Sequence, residues 1–126
     1  MRINKDDIPV VMQVPGATAR QVAAGGDLAA EWFSIAAGVD IAPLLQGLEG
    51  DACQAPHWGY VISGTVVVTY PGSDRPTDRC VGGDCFHWPA GHSVRVDEDA
   101  EVILFSPHHA HAAVIDHMKA KLEAMA

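Results

Sequence analysis

Residues Ala52–Gly64 read ACQAPHWGYVISG, and Gly82–His92 read GGDCFHWPAGH. The first stretch places Cys53, His57, Trp58 and Tyr60 at the start of an apolar strand that ends on a glycine. The second ends on His92, just after the tight turn Pro89-Ala-Gly91. Each stretch sets soft or imidazole ligand atoms beside a turn. Together they read as two walls of one pocket.

Working outward, the chain shows many short strands separated by turn residues. Ile8–Val14 is an apolar run closed by Pro15-Gly16, and Pro9 suits an edge strand. Strands are expected at Arg20–Ala24 and Glu31–Ala36, where Trp32 and Phe33 favour extended backbone. Ile41–Leu48 is apolar but broken by Pro43 and Gly47, and reads as a packed loop. Tyr60–Tyr70 reads as two strands with a kink at Ser63-Gly64. Further strands are expected at Thr77–Val81, Cys85–Pro89, His92–Val96 and Glu101–Phe105, with Asp97-Glu98-Asp99 as a solvated turn. The period then changes. Ser106 reads as a helix N-cap with Pro107 at the first helical position. Ile115, Met118, Leu122 and Met125 recur at helical spacing. The expected architecture is all-β, an antiparallel barrel or jelly roll over about residues 8–105, with one C-terminal helix over about 107–125.

The 126 residues suit one domain, 1–126, with its own core. A net charge of −8 without a Lys/Arg cluster argues against nucleic acid and anionic membranes as partners. No apolar run approaches the ~18 residues of a membrane span. The N-terminus, MRINKDDIPVV, carries acids where an export signal needs an apolar stretch, so a cytoplasmic location is expected. Three cysteines do not make a disulfide framework, and free thiols are expected there.

The glycine and proline spacing resembles the cupin superfamily, whose first motif runs His-x-His, three or four residues, Glu, six residues, Gly. Gly64 matches the glycine, His57 stands at the glutamate place, and Asp51 and Cys53 stand at the two histidine places. The second cupin motif runs Gly, five residues, Pro-x-Gly, two residues, His, three residues, Asn. Gly83, Pro89 and Gly91 match it, while Val94 stands at the histidine place and Glu98 at the asparagine place. The segment from Pro43 to Gly64 looks like that of small single-domain cupins. The resemblance implies a double-stranded β-helix barrel, and small cupins of this kind are commonly homodimers. The apolar run Ile8–Val14 and the helix face at Ile115, Met118 and Leu122 are the candidate dimer surfaces.

The site residues follow from the matched positions and from strand parity. Asp51 and Cys53 share a face if the backbone there is extended, and His92 shares parity with the motif position at Val94. The candidate ligands are therefore His57, His92 and Cys53, with Asp51 in reserve. Thiolate and imidazole suit Zn²⁺; imidazole and carboxylate suit Fe²⁺, Ni²⁺ or Mn²⁺. Trp58, Tyr60 and Trp88 are candidates to line a pocket for a small organic molecule. His87 is expected on the outer face. His108, His109 and His111 read as an exposed helix start. Three readings stay open: a metal-dependent enzyme, a metal-free binding or sensing protein, and a structural domain.

Overall fold

The computed structural model describes residues 1–125. Seven strands precede the long helix: β1 Val10–Val14, β2 Ala17–Gly25, β3 Leu28–Ile35, β4 His57–Thr69, β5 Asp78–Val81, β6 Cys85–Trp88 and β7 Ser93–Pro107. All the pairings are antiparallel, in the order β1-β2-β3-β7-β4-β5, with β6 paired to β4. The sheet closes into the expected jelly-roll barrel. A short helix, α1 (Ala42–Leu45), occupies the stretch read as a packed loop, and Pro43 sits in its first turn, where a missing N–H is harmless. The closing helix α2 runs His108–Met125.

The barrel core follows from strand alternation. Val61, Val66 and Val68 of β4 meet Val94, Val96, Val102 and Leu104 of β7 inside. Each such side chain, fully buried, contributes about 1.5–3 kcal/mol. A second cluster joins Leu45, Cys53 and Ala55 to Val114 and Met118 of α2.

Two glycines set the β4–β7 contact. A Cβ on Gly59 would lie 2.0 Å from the Ile103 carbonyl oxygen, so only glycine allows the strands to approach there. Gly64 has φ +88° and would meet the Asp99 carbonyl at 2.1 Å. The β4–β7 register shifts around Ser63 and Thr65, which makes Ser63-Gly64 the bulge expected from the sequence.

Four expectations are corrected. Asp97-Glu98-Asp99 is not a turn but the middle of β7, a single 15-residue strand. Its acids have partners that hold them extended: Arg79 of β5 and Arg95 of β7 itself on Asp97, the Thr65 hydroxyl on Glu98, and the Ala37 N–H on Asp99. Ser106 is not a helix cap; it lies in β7, fully buried, with its hydroxyl turned into the barrel. His111 is not exposed but buried, on the stripe His111, Val114, Ile115 and Met118 that seats α2 on the barrel. That same seating uses Ile115 and Met118 inside the chain, so the helix face read as a dimer surface is already covered.

Among the described residues no helix is long and apolar enough to cross a membrane. Cys53, Cys80 and Cys85 are free thiols, the first two buried.

Candidate metal centre

Strand pairing brings the two motif stretches together. Cys53 forms an isolated bridge with His92; its N–H donates to the His92 carbonyl at 2.8 Å. His57 opens β4 opposite Trp88 of β6. The potential ligand atoms of Cys53, His57 and His92 all lie within 4.8 Å of one another, and all three residues are buried. Cys53 Sγ is 3.7 Å from His57 Nε2. Two donors on a tetrahedral zinc, with bonds of about 2.3 and 2.05 Å, stand ~3.6 Å apart.

The other nitrogen of each imidazole is tied. His92 Nδ1–H donates to the Pro89 carbonyl at 2.7 Å, which leaves Nε2 as the lone-pair atom. His57 Nδ1 is 2.6 Å from Ser106 Oγ. The Ser106 hydroxyl donates to the Glu31 carboxylate, so its oxygen accepts from His57 Nδ1–H. His57 Nε2 is then also a lone pair, turned toward Cys53. An orienting hydrogen bond on the far nitrogen is what metal-ligating imidazoles ordinarily have.

Glu31 anchors this arrangement from inside the barrel, 1 % exposed. Its carboxylate receives the Ser106 hydroxyl, His111 Nδ1–H and the Gln21 amide, the last at 2.8 Å. Register explains the meeting. Glu31 pairs with Gln21 of β2 and Leu104 of β7, Ser106 is two residues beyond Leu104 on the same face, and Phe105 pairs with Trp58 next to His57. Glu31, His57 and His111 also cluster closely enough to hold an ion. Their facing atoms are, however, already joined through Ser106 and Glu31, so the free lone pairs belong to the Cys53 side.

Electrostatics agree with neutral imidazoles. Burial, with His111 and His92 alongside, holds His57 well below the ordinary imidazole range. Burial pulls His92 down to about 4. Burial pushes the Cys53 thiol up to about 11. Two neutral imidazoles are ready to ligate, whereas the thiol must lose its proton to do so.

The remaining candidates separate. Asp51 is not at the site: it is exposed in a turn with φ 52°, and its carboxylate accepts from Gly47 N–H at 3.0 Å. The backbone between Asp51 and Cys53 is not the straight strand that parity required. Trp58 and Tyr60 do not line the pocket: they are 45 % and 40 % exposed on the outer face, where Trp58 stacks on His87. His57 faces inward and alternation sends Trp58 out. Trp88 is buried and lines the cavity beside Cys53, His57 and His92. Val94, at the motif's histidine place, is also in that lining, with His92 beside it.

Glu31, Ser106 and His111 escaped the sequence reading. Parity places Glu31 with Ala29, Phe33 and Ile35 on one face of β3, and counting back four residues from Ile115 reaches His111. Those were the available signals. Ser106 had none, since Ser-Pro before a helix reads as a cap.

No protein-family profile and no curated protein matches the sequence. Solved structures do. KdgF from Halomonas sp. is 27 % identical, over 82 % of this chain and 92 % of that one, with a TM-score of 0.57. Ectoine synthase from P. lautus is 12 % identical over 76 % of this chain and 67 % of that one, at TM-score 0.55. A mutant of Bacillus subtilis oxalate decarboxylase is 23 % identical over 81 % of this chain but only 28 % of its own, at TM-score 0.62. These are cupin-fold proteins. Fold and matched turns together give this chain a cupin-type barrel, with three potential metal-ligating residues at displaced positions.

Proposed function

We propose that the chain binds one divalent metal ion through Cys53 Sγ, His57 Nε2 and His92 Nε2, and presents it to a small organic molecule in the barrel. The observation that carries this reading is the convergence of one thiol and two imidazole lone pairs whose far nitrogens are both tied. Zinc suits thiolate with imidazole best. With Asp51 outside, no carboxylate joins the set, which weakens the case for Fe²⁺, Ni²⁺ or Mn²⁺. Bound there, a divalent ion would supply Lewis acidity or an activated water, with three protein donors leaving room for an exogenous ligand.

The chain's own residues supply the rest. Ser106 and Glu31 hold the His57 ring and its tautomer. The Pro89 carbonyl does the same for His92. Trp88 and the apolar barrel wall exclude bulk water. The reading extends to a single domain spanning the chain, a cytoplasmic location where Cys53 stays reduced, and a homodimer.

The test is elemental analysis of tag-free protein, with and without Cys53→Ala. Stoichiometric zinc that is lost in the variant supports the reading; wild-type protein that takes up no divalent metal, even after incubation, overturns it. The 3.7 Å contact of Cys53 with His57 supports a second reading, a metal-free binding or sensing protein, because the thiol, which also has the Ala55 carbonyl within reach at 3.6 Å, can turn its one proton to His57 Nε2 and satisfy it without an ion.

A further inference from the structure

Cys53, His57 and His92 form part of the wall of a cavity of about 70 Å³ between the barrel interior and α2. Phe33, Val66, Val94 and Leu104 line it from the strands, Ile115 and Met118 from the helix. Among the described residues no Lys, Arg, Asp or Glu lines it. Besides the three potential ligands, its side chains with polar atoms are Thr18, Trp88 and His111, and His111 Nδ1 is engaged by Glu31. A charged group entering this space would lose its hydration and meet no opposite charge on the protein. An apolar cavity of about 150 Å³ holds benzene. Half that volume suits about three to five heavy atoms.

We infer that the pocket receives a small, mainly apolar molecule that turns a single ligating atom toward Cys53, His57 and His92 and carries no charge elsewhere. A second charged group, such as the far carboxylate of a dicarboxylate, is excluded by the lining. The ligating atom rests on the proposed metal site; size and polarity rest on the cavity alone.

Two arms test this, chosen so that the two readings fail separately. In the first, the tag-free protein is loaded with Co²⁺, and its visible absorption is followed during titration with 1-propanethiol and with cysteamine. The two probes have the same size and the same sulfur, and differ in a terminal methyl against an ammonium. Propanethiol is expected to bind at least about tenfold more tightly, and to weaken about tenfold in Val66→Ile or Val94→Leu, whose folding is checked by circular dichroism. Cysteamine binding equally well or better overturns the inference. In the second arm, metal-free protein is titrated against dissolved xenon by ¹²⁹Xe NMR. A protein-dependent xenon shift that shrinks in both filling variants supports the cavity reading, and a shift unchanged by both overturns it. If Co²⁺ is not taken up, the metal reading falls and the xenon arm still decides the cavity.

Discussion

His57 is the residue on which the proposed site turns, because its two nitrogens face different partners. Nε2 faces Cys53, and Nδ1 donates to Ser106. Ser106→Ala removes the acceptor that sets the tautomer and should weaken zinc binding by about 10–100-fold. Ser106→Thr, which keeps the hydroxyl, should restore much of it; competition with a chromophoric chelator measures both. Cys53 carries a second prediction. Its thiol is protonated at neutral pH, pushed up to about 11, while the imidazoles are neutral. Zinc uptake at pH 7 should therefore release about one proton per ion. Calorimetry in buffers of different ionisation enthalpy reads this directly.

The same groups set the pH dependence of the metal-free protein. An unfolded histidine protonates near ~6.5, whereas folded His92 stays neutral down to about 4 and His57 is lowered too. Between those values the unfolded chain binds more protons, so stability falls as pH drops from about 6.5 toward 4. Cys53 acts at the other end. The unfolded thiol ionises near 9.0 and the folded one only near 11, so stability falls again as pH rises through that window. The urea midpoint across pH should trace a plateau with both shoulders. A Cys53→Ala variant that keeps the alkaline shoulder unchanged would contradict the assignment.

At the scale of elements, the β4–β7 pair depends on backbone approach more than on side chains. Gly59→Ala places a methyl against the Ile103 carbonyl and should destabilise the fold by ~4 kcal/mol or more. The α2 seat behaves differently. Met118→Ala removes buried volume and should cost about 2–5 kcal/mol, with the barrel strands retained. Urea denaturation followed by far-ultraviolet circular dichroism distinguishes the two. Glu31 links these elements, since it gathers Gln21 of β2, Ser106 of β7 and His111 of α2.

For the whole molecule, the proposed homodimer needs a surface other than the seated helix face. Trp58, Tyr60 and Phe105 are exposed together on the outer sheet face, with Trp58 and Phe105 directly paired across strands. An uncharged aromatic face on a chain of net charge −8 suits burial against a like face. Trp58→Glu should give monomers in sedimentation velocity at micromolar protein, with circular dichroism unchanged. Added salt should strengthen wild-type association by screening like charges. A wild-type monomer at all salt concentrations would sink the dimer.

Local sequence was enough for whatever depends on local backbone. Gly64, Pro89 and Gly91 mark turns because their allowed φ leaves little choice, and alternation in β4 and β7 marks the barrel wall. The cupin resemblance, through the glutamate place of its first motif, put His57 inward. Parity failed for Asp51, where a turn with positive φ breaks the alternation; followed from His57 it sends Trp58 and Tyr60 outward, against their reading as pocket lining. The buried network lay beyond local reading. Ser106 and His111 stand 75 and 80 residues in sequence from Glu31, whose carboxylate they share. A serine before Pro107 looks like a cap in any short window, and only the β3–β7 register turns its hydroxyl into the barrel. The turns and the strand faces belong to the sequence because sterics and side-chain period act between neighbours; the tautomer of His57 belongs to the tertiary structure, because closure of the sheet alone brings those distant polar groups into one buried place where each must find its partner.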